Sequence, residues 1–91
     1  MDRDSALALL DSQHEFPGEF EFRVVVPPNK KELTVSAIAA AAGGRVLHVG
    51  ERFSRTKKYV ALQVRIHVGS AERVLEVYEV IKSLDYVYAS L

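Results

Sequence analysis

Ninety-one residues make one domain, because a chain this short buries only roughly 60 to 65 percent of its unfolded surface and lacks the material for two cores. Hydrophobic residues, at 48%, suffice for that core, and twelve basic residues cancel twelve acidic ones, which removes the global field that draws proteins non-specifically to nucleic acid or anionic membranes. There is no cysteine, which excludes disulfides, cysteine-ligated zinc, iron–sulfur clusters and thiol nucleophiles and places a small unstapled chain in a reducing cytoplasm.

Asp4 or Ser5 is expected to cap a short helix running to about Ser12, with Ala6, Leu7 and Leu10 as its apolar side. The run Ala6 to Leu10 is too short for a signal-peptide core, Asp2 and Asp4 stand where a basic region would be, and no stretch reaches the length of a membrane span. Phe16-Pro17-Gly18 ends the helix. Phe20, Phe22, Val24 and Val26 alternate with Glu19, Glu21, Arg23 and Val25, which predicts a strand with one buried face. Pro27-Pro28 stops it. Asn29 with Glu32 fits a reciprocal capping pattern for a helix to about Ala42, with Leu33, Ala37, Ile38 and Ala41 buried, closed by Gly43-Gly44. Arg45 to Ser54 reads as an edge strand with a bulge near Gly50, and Glu51 breaks its apolar phase.

Arg55-Thr56-Lys57-Lys58 is a hairpin tip, and Tyr59 to Val68 is the cleanest strand pattern in the chain. Val60, Leu62, Val64, Ile66 and Val68 share one face; Tyr59, Ala61, Gln63, Arg65 and His67 share the other. Gly69-Ser70 turns and caps a last helix through about Lys82, with Val74, Val77, Tyr78 and Ile81 at helical spacing. A final strand, Leu84 to Leu91, puts Val87, Ala89 and Leu91 in one phase and Tyr86 and Tyr88 in the other.

With residues 1–18 as a short N-terminal helix and linker, residues 19–91 follow the order strand, helix, strand, strand, helix, strand. That order predicts an α+β, ferredoxin-like two-layer sandwich: a four-stranded antiparallel sheet, first and third strands central, with two helices on one face and the other face open.

Leu9-Leu10 and Phe16-Pro17 ahead of the first strand, Lys57 and Tyr59 opening the third, and Glu72, Val74, Tyr78, Asp85, Val87 and Leu91 after it follow a familiar rhythm. In these residues the chain resembles the YbeD-like family of small bacterial proteins of uncharacterised function. The resemblance spans nearly the whole chain and is strongest from Lys57 to Leu91. It implies a ferredoxin-like fold similar to amino-acid-binding ACT domains, a regulatory or binding role, and a link to lipoate metabolism. Lys58 and Ala61 stand where the family has glycine and a small hydroxyl residue.

The chemistry that this topology hosts leaves marks that can be sought. An acylphosphatase needs an arginine in a glycine-rich loop after the first strand, and Pro27-Pro28-Asn29-Lys30-Lys31 removes amide donors instead. Copper carriers need paired cysteines. An RNA-recognition sheet stacks bases on central aromatics, whereas here Ala61 takes an aromatic's place and Glu21, Arg23 and Val25 point outward. Lys30 and Lys31 at a helix start form a weak anion-binding candidate against the plainer reading of solvated loop lysines. His48 and His67 are the only histidines that could be cross-strand neighbours, and no carboxylate is placed to complete a metal site with them. Ser5, Ser12 and Ser70 read as caps and turns.

The open face then carries Tyr86 and Tyr88, Glu21 and Arg23, Gln63, Arg65 and His67, and His48 and Arg52. Of these, Arg23, Gln63, Arg65, His67, Tyr86 and Tyr88 are the candidate partner-binding residues, since tyrosine and arginine enrich polar interfaces. The expectation is a non-enzymatic domain, with neither metal nor cofactor, that binds a protein or small-molecule partner. Pairing along the last strand's edge is a route to a homodimer. Single-stranded nucleic acid on the open face is the alternative, and zero net charge argues against it.

Overall fold

A computed structural model describes residues 2–90. Strands β1 (Gly18–Val26), β2 (Val46–Phe53), β3 (Val60–Val68) and β4 (Ala89–Ser90) form one antiparallel sheet in the order β2-β3-β1-β4. Helices α2 (Lys31–Ala42) and α3 (Ala71–Ser83) pack together on one face, and α1 (Arg3–Gln13) leans on α3. This is the ferredoxin-like arrangement, with β1 and β3 central as their patterns predict.

The two central strands pair over their whole length, setting Phe20 against Ile66, Phe22 against Val64, Val24 against Leu62 and Val26 against Val60. All eight side chains are buried beneath the helices, each contributing roughly 1.5–3 kcal/mol of transfer free energy. Val74, Val77 and Ile81 of α3 and Ile38 of α2 close the core from above. Aromatic rings tie the N-terminal segment to it: His14 lies 4.9 Å from Phe20, Phe16 6.4 Å from Phe20, and Tyr78 of α3 meets Phe22 edge-on at 5.3 Å. Burial raises the Tyr78 phenol above its ordinary pKa.

Five local expectations are corrected. Asp2, and neither Asp4 nor Ser5, caps α1: its Oδ1 accepts the Ser5 amide at 2.7 Å, a bond that holds its carboxyl below the usual carboxylate value. The Asn29–Glu32 capping box does not form, because Pro28–Lys30 winds into a single 3-10 turn and α2 starts at Lys31 with no side-chain cap. Ile38 of α2 is buried as predicted, but it shares its buried stripe with Thr34 and Ala42 in place of Leu33, Ala37 and Ala41, and Leu33 is 55% exposed. Thr34 tolerates burial because its hydroxyl bonds the Lys30 carbonyl at 2.6 Å and the Tyr86 hydroxyl at 3.2 Å.

The fourth concerns β2. Its irregularity falls at Leu47, not Gly50: Val46 pairs with Ile66 but His48 with Arg65, so Leu47 is the extra residue. The bulge lets Val46 and Val49, three residues apart, oppose inward residues of β3. Glu51 consequently opposes Leu62 on the helix side, where its Oε2 lies 2.6 Å from Lys31 Nζ of α2. The residue that interrupts the apolar phase does so because it has a partner on a helix.

The last segment is shorter than predicted. Asp85 and Tyr86 form a turn, and only Ala89 and Ser90 join the sheet, opposite Val25 and Val24; Leu91 lies outside the described residues. Tyr86 therefore does not belong to the open face. It packs partly buried against the helix layer, its hydroxyl on Thr34 and its ring 5.5 Å from Lys30 Nζ. Replacing Tyr86 by phenylalanine is expected to cost about 1 kcal/mol, the usual worth of one such bond, measured by urea unfolding. An unchanged midpoint would show that Thr34 needs only the Lys30 carbonyl.

Candidate functional site

The sheet surface away from the helices is built by the outward phases of β1, β2 and β3. Cross-strand pairing sorts it into rows: Glu19 opposite His67; Glu21, Arg65 and His48; Arg23, Gln63 and Gly50; and Val25, Ala61 and Arg52, with Ala89 of β4 beside Val25. Small residues make the last rows low and their neighbours make rims. A Cβ on Gly50 would come within 2.9 Å of Gln63 Oε1, so the glycine leaves room for that side chain. The result is a trough of about 430 Å³ with Val25 and Ala61 as floor and Arg23, Arg52 and Gln63 around it. It adjoins a second hollow of about 200 Å³ reaching Phe53 and Tyr59 at the hairpin end of the sheet.

Tyr59 opens β3 at that end, and its ring centroid lies 4.8 Å from that of Tyr88, which is 70% exposed. At the opposite end Glu21 is clasped by two arginines, Arg23 Nε at 2.8 Å and Arg65 at 3.8 Å. Arg52 has no carboxylate within ion-pair distance among the described residues.

Of the predicted partner-binding residues, the sheet gathers Arg23, Gln63, Arg65 and His67 on one surface and sets Tyr88 at its end against Tyr59. Tyr86 goes to the helix side. Lys30 and Lys31, the anion candidates, do not converge: Lys31 pairs with Glu51 and Lys30 lies over the Tyr86 ring. His48 and His67 sit in different cross-strand rows, His48 opposite Arg65, and among the described residues no cluster of three His, Asp or Glu side chains could hold a metal. Ser70 caps α3 through the Arg73 amide, and the Ser12 and Ser83 hydroxyls bond helix carbonyls. No helix among the described residues is long and apolar enough to cross a membrane.

Residues 11–91 match a protein family described as "Protein of unknown function (DUF493)". The chain belongs to that family. It is the YbeD-like family whose residues the sequence resembles. The solution structure of HP0495 from H. pylori is similar to it, with a TM-score of 0.70 at 20% identity over 90% of this chain and 92% of that one; at that identity the likeness shows the fold. No curated protein matches the chain.

In this DUF493 chain the match begins inside α1 and takes in the whole sheet, so the open face lies entirely within the family region. Local alternation found the outward residues of β1 and β3 there. It missed the contact between Tyr59 and Tyr88, which lie 29 positions apart, and it set Ala89 in the phase opposite to the open face, whereas Ala89 pairs with Val25 and joins Val25 and Ala61 in the outward floor. The phase of Tyr59 was a usable signal, since it continues the Ala61–Gln63–Arg65 row.

Proposed function

We propose that this chain is a non-enzymatic regulatory or binding domain whose open sheet face docks a protein or small-molecule partner. The observation that carries the reading is the shaped trough on that face, a neutral floor ringed by arginines and a glutamine and ended by the half-buried Tyr59 with the exposed Tyr88 against it. The hydroxyls and imidazoles support it from the other side: Ser70 caps α3, the Ser12 and Ser83 hydroxyls bond helix carbonyls, and His48 and His67 lie on separate rows, so these side chains assemble no nucleophile with a base.

The test is capture from cell extract with the full chain and quantification of what each variant retains. Arg65→Ala with Tyr88→Ala is expected to leave folding intact, because exposed ion pairs contribute about 0–1 kcal/mol, and to lose partners that the native chain and the helix-side control Glu76→Lys both keep. Equal recovery by all three would remove the open face from consideration.

A further inference from the structure

Zero net charge conceals a strong separation. Four arginines, Arg23, Arg45, Arg52 and Arg65, stand on the open side of the sheet, and Arg55, Lys57 and Lys58 in the β2–β3 hairpin at its end, while among the described strand residues only Glu19 and Glu21 are carboxylates in the outward phase, Glu51 at the trough's edge turning to Lys31 on the helix side. Seven of twelve basic residues thus meet two of twelve acidic ones, leaving five basic against ten acidic for the rest of the chain. The molecule is a dipole with its positive end on the uncovered face. Within that face the acids are confined to one end. Glu19 and Glu21 lie on the rows far from the hairpin, and Glu21 is already clasped by Arg23 and Arg65.

The hairpin half combines this cationic rim with something a carboxylate partner has no use for. Its floor is apolar, Val25 and Ala61, and continues to Phe53 and the half-buried Tyr59, against which the exposed Tyr88 lies. Flat apolar ground flanked by aromatic rings and a guanidinium suits the π-face of an unstacked base, and arginines and lysines around it suit phosphates. A duplex would not reach such ground, because its bases are stacked inside.

We propose that the hairpin half of the open face binds single-stranded nucleic acid, with bases against Tyr59, Tyr88 and the Val25–Ala61 floor and phosphates on Arg52, Arg55, Lys57 and Lys58. This rests on the open-face reading above for its docking surface, and assigns the hairpin half of that surface a nucleic acid in place of a protein or small-molecule partner. The absent aromatic at Ala61 and the aromatic pair at the sheet's end shift the stacking site from the centre of the sheet to its edge.

Fluorescence anisotropy with labelled twelve-nucleotide poly-dT and poly-rU, on the full chain, tests it. Binding at low salt should weaken as salt rises with a log–log slope of about −2 to −3, for three or four phosphate contacts. Tyr88→Ala should weaken it about fivefold or more, and Arg52→Ala and Lys58→Ala should each lower the slope by about 0.7. The helix-side variant Glu76→Lys should bind as the native chain does. No binding at low salt would overturn the assignment. So would oligonucleotide binding indifferent to Tyr88→Ala and matched by heparin, which would mean cation exchange only. Preferential binding of polyglutamate, lost in Arg52→Ala, would transfer the face to an acidic protein, overturning this assignment while leaving the docking face standing. Oligonucleotide binding abolished by Glu76→Lys and untouched by Arg52→Ala would overturn both.

Discussion

Replacing Phe22 by alanine is expected to destabilise the domain by about 3–5 kcal/mol, a large share of the roughly 5–15 kcal/mol that holds a domain of this size together. Phe22 is fully buried at the meeting point of three elements. Across the sheet it faces Val64, along β1 its ring lies 4.9 Å from Phe20, and above it Tyr78 of α3 meets it edge-on at 5.3 Å. The substitution removes transfer free energy and leaves a void whose walls belong to a central strand paired along its full length and a helix packed on α2, so neither can move in to fill it. Urea unfolding followed by circular dichroism should show a lower midpoint at unchanged slope. Phe22→Leu, which keeps most of the volume, should cost less than about 1.5 kcal/mol. A loss for alanine below about 1 kcal/mol would mean that the aromatic cluster can collapse and that β1 is not anchored where the pairing places it.

That β1 and β3 were readable from the sequence follows from the same packing. Each is buried along one face, so its period of two is unbroken, and a slip of one residue would turn four apolar side chains of β1 or five of β3 to water. Where the reading failed, a partner distant in sequence had overridden the local pattern. Leu33 looks like a core residue, yet Thr34 takes the buried position in line with Ile38 and Ala42, its hydroxyl held by the Lys30 carbonyl one turn back and by Tyr86 far along the chain. Glu51 looks like a fault in an edge strand until Lys31 of α2 is seen beside it. The phase of Tyr86 predicts a strand, and the turn at Asp85 and Tyr86 breaks that phase before the sheet begins.

The candidate site divides along the same line. Arg23, Gln63, Arg65 and His67 share a surface because alternation says so. The tyrosine pair and the separation of charge depend on which strands are neighbours, so composition alone, with its twelve charges of each sign, does not show how those charges divide between the two sides of the molecule. Net charge speaks for the whole molecule, whereas a ligand within a Debye length meets only the surface in front of it.

Gly44→Ala is expected to be the most damaging addition of a single methyl group, at about 3 kcal/mol, the top of the usual range for overpacking. A Cβ built at Gly44 would lie 1.9 Å from the carbonyl oxygen of His67 and 3.0 Å from its carbon. The obstacle is backbone, so no rotamer change can relieve it, and the next residue is held in place as well: the His67 amide donates to the Arg45 carbonyl at 3.2 Å. Relief requires the start of β2 to move off β3, which would disturb the pairing of Val46 with Ile66 and the bulge at Leu47. The preceding glycine makes a control of a different kind. Gly43 closes α2 at φ 65°, its amide donating to the Ala39 carbonyl at 3.0 Å, so there the demand is for a left-handed backbone more than for space. Asparagine, which visits that region more readily than other side chains, should be tolerated at Gly43 within about 1 kcal/mol, while Gly44→Ala lowers the unfolding midpoint and weakens hydrogen-exchange protection of the Val46 and His67 amides. If both variants unfold at the same denaturant concentration, the close approach of β2 to the end of β3 is not what Gly44 is there to permit, and the bulge at Leu47 must be held by the hairpin alone.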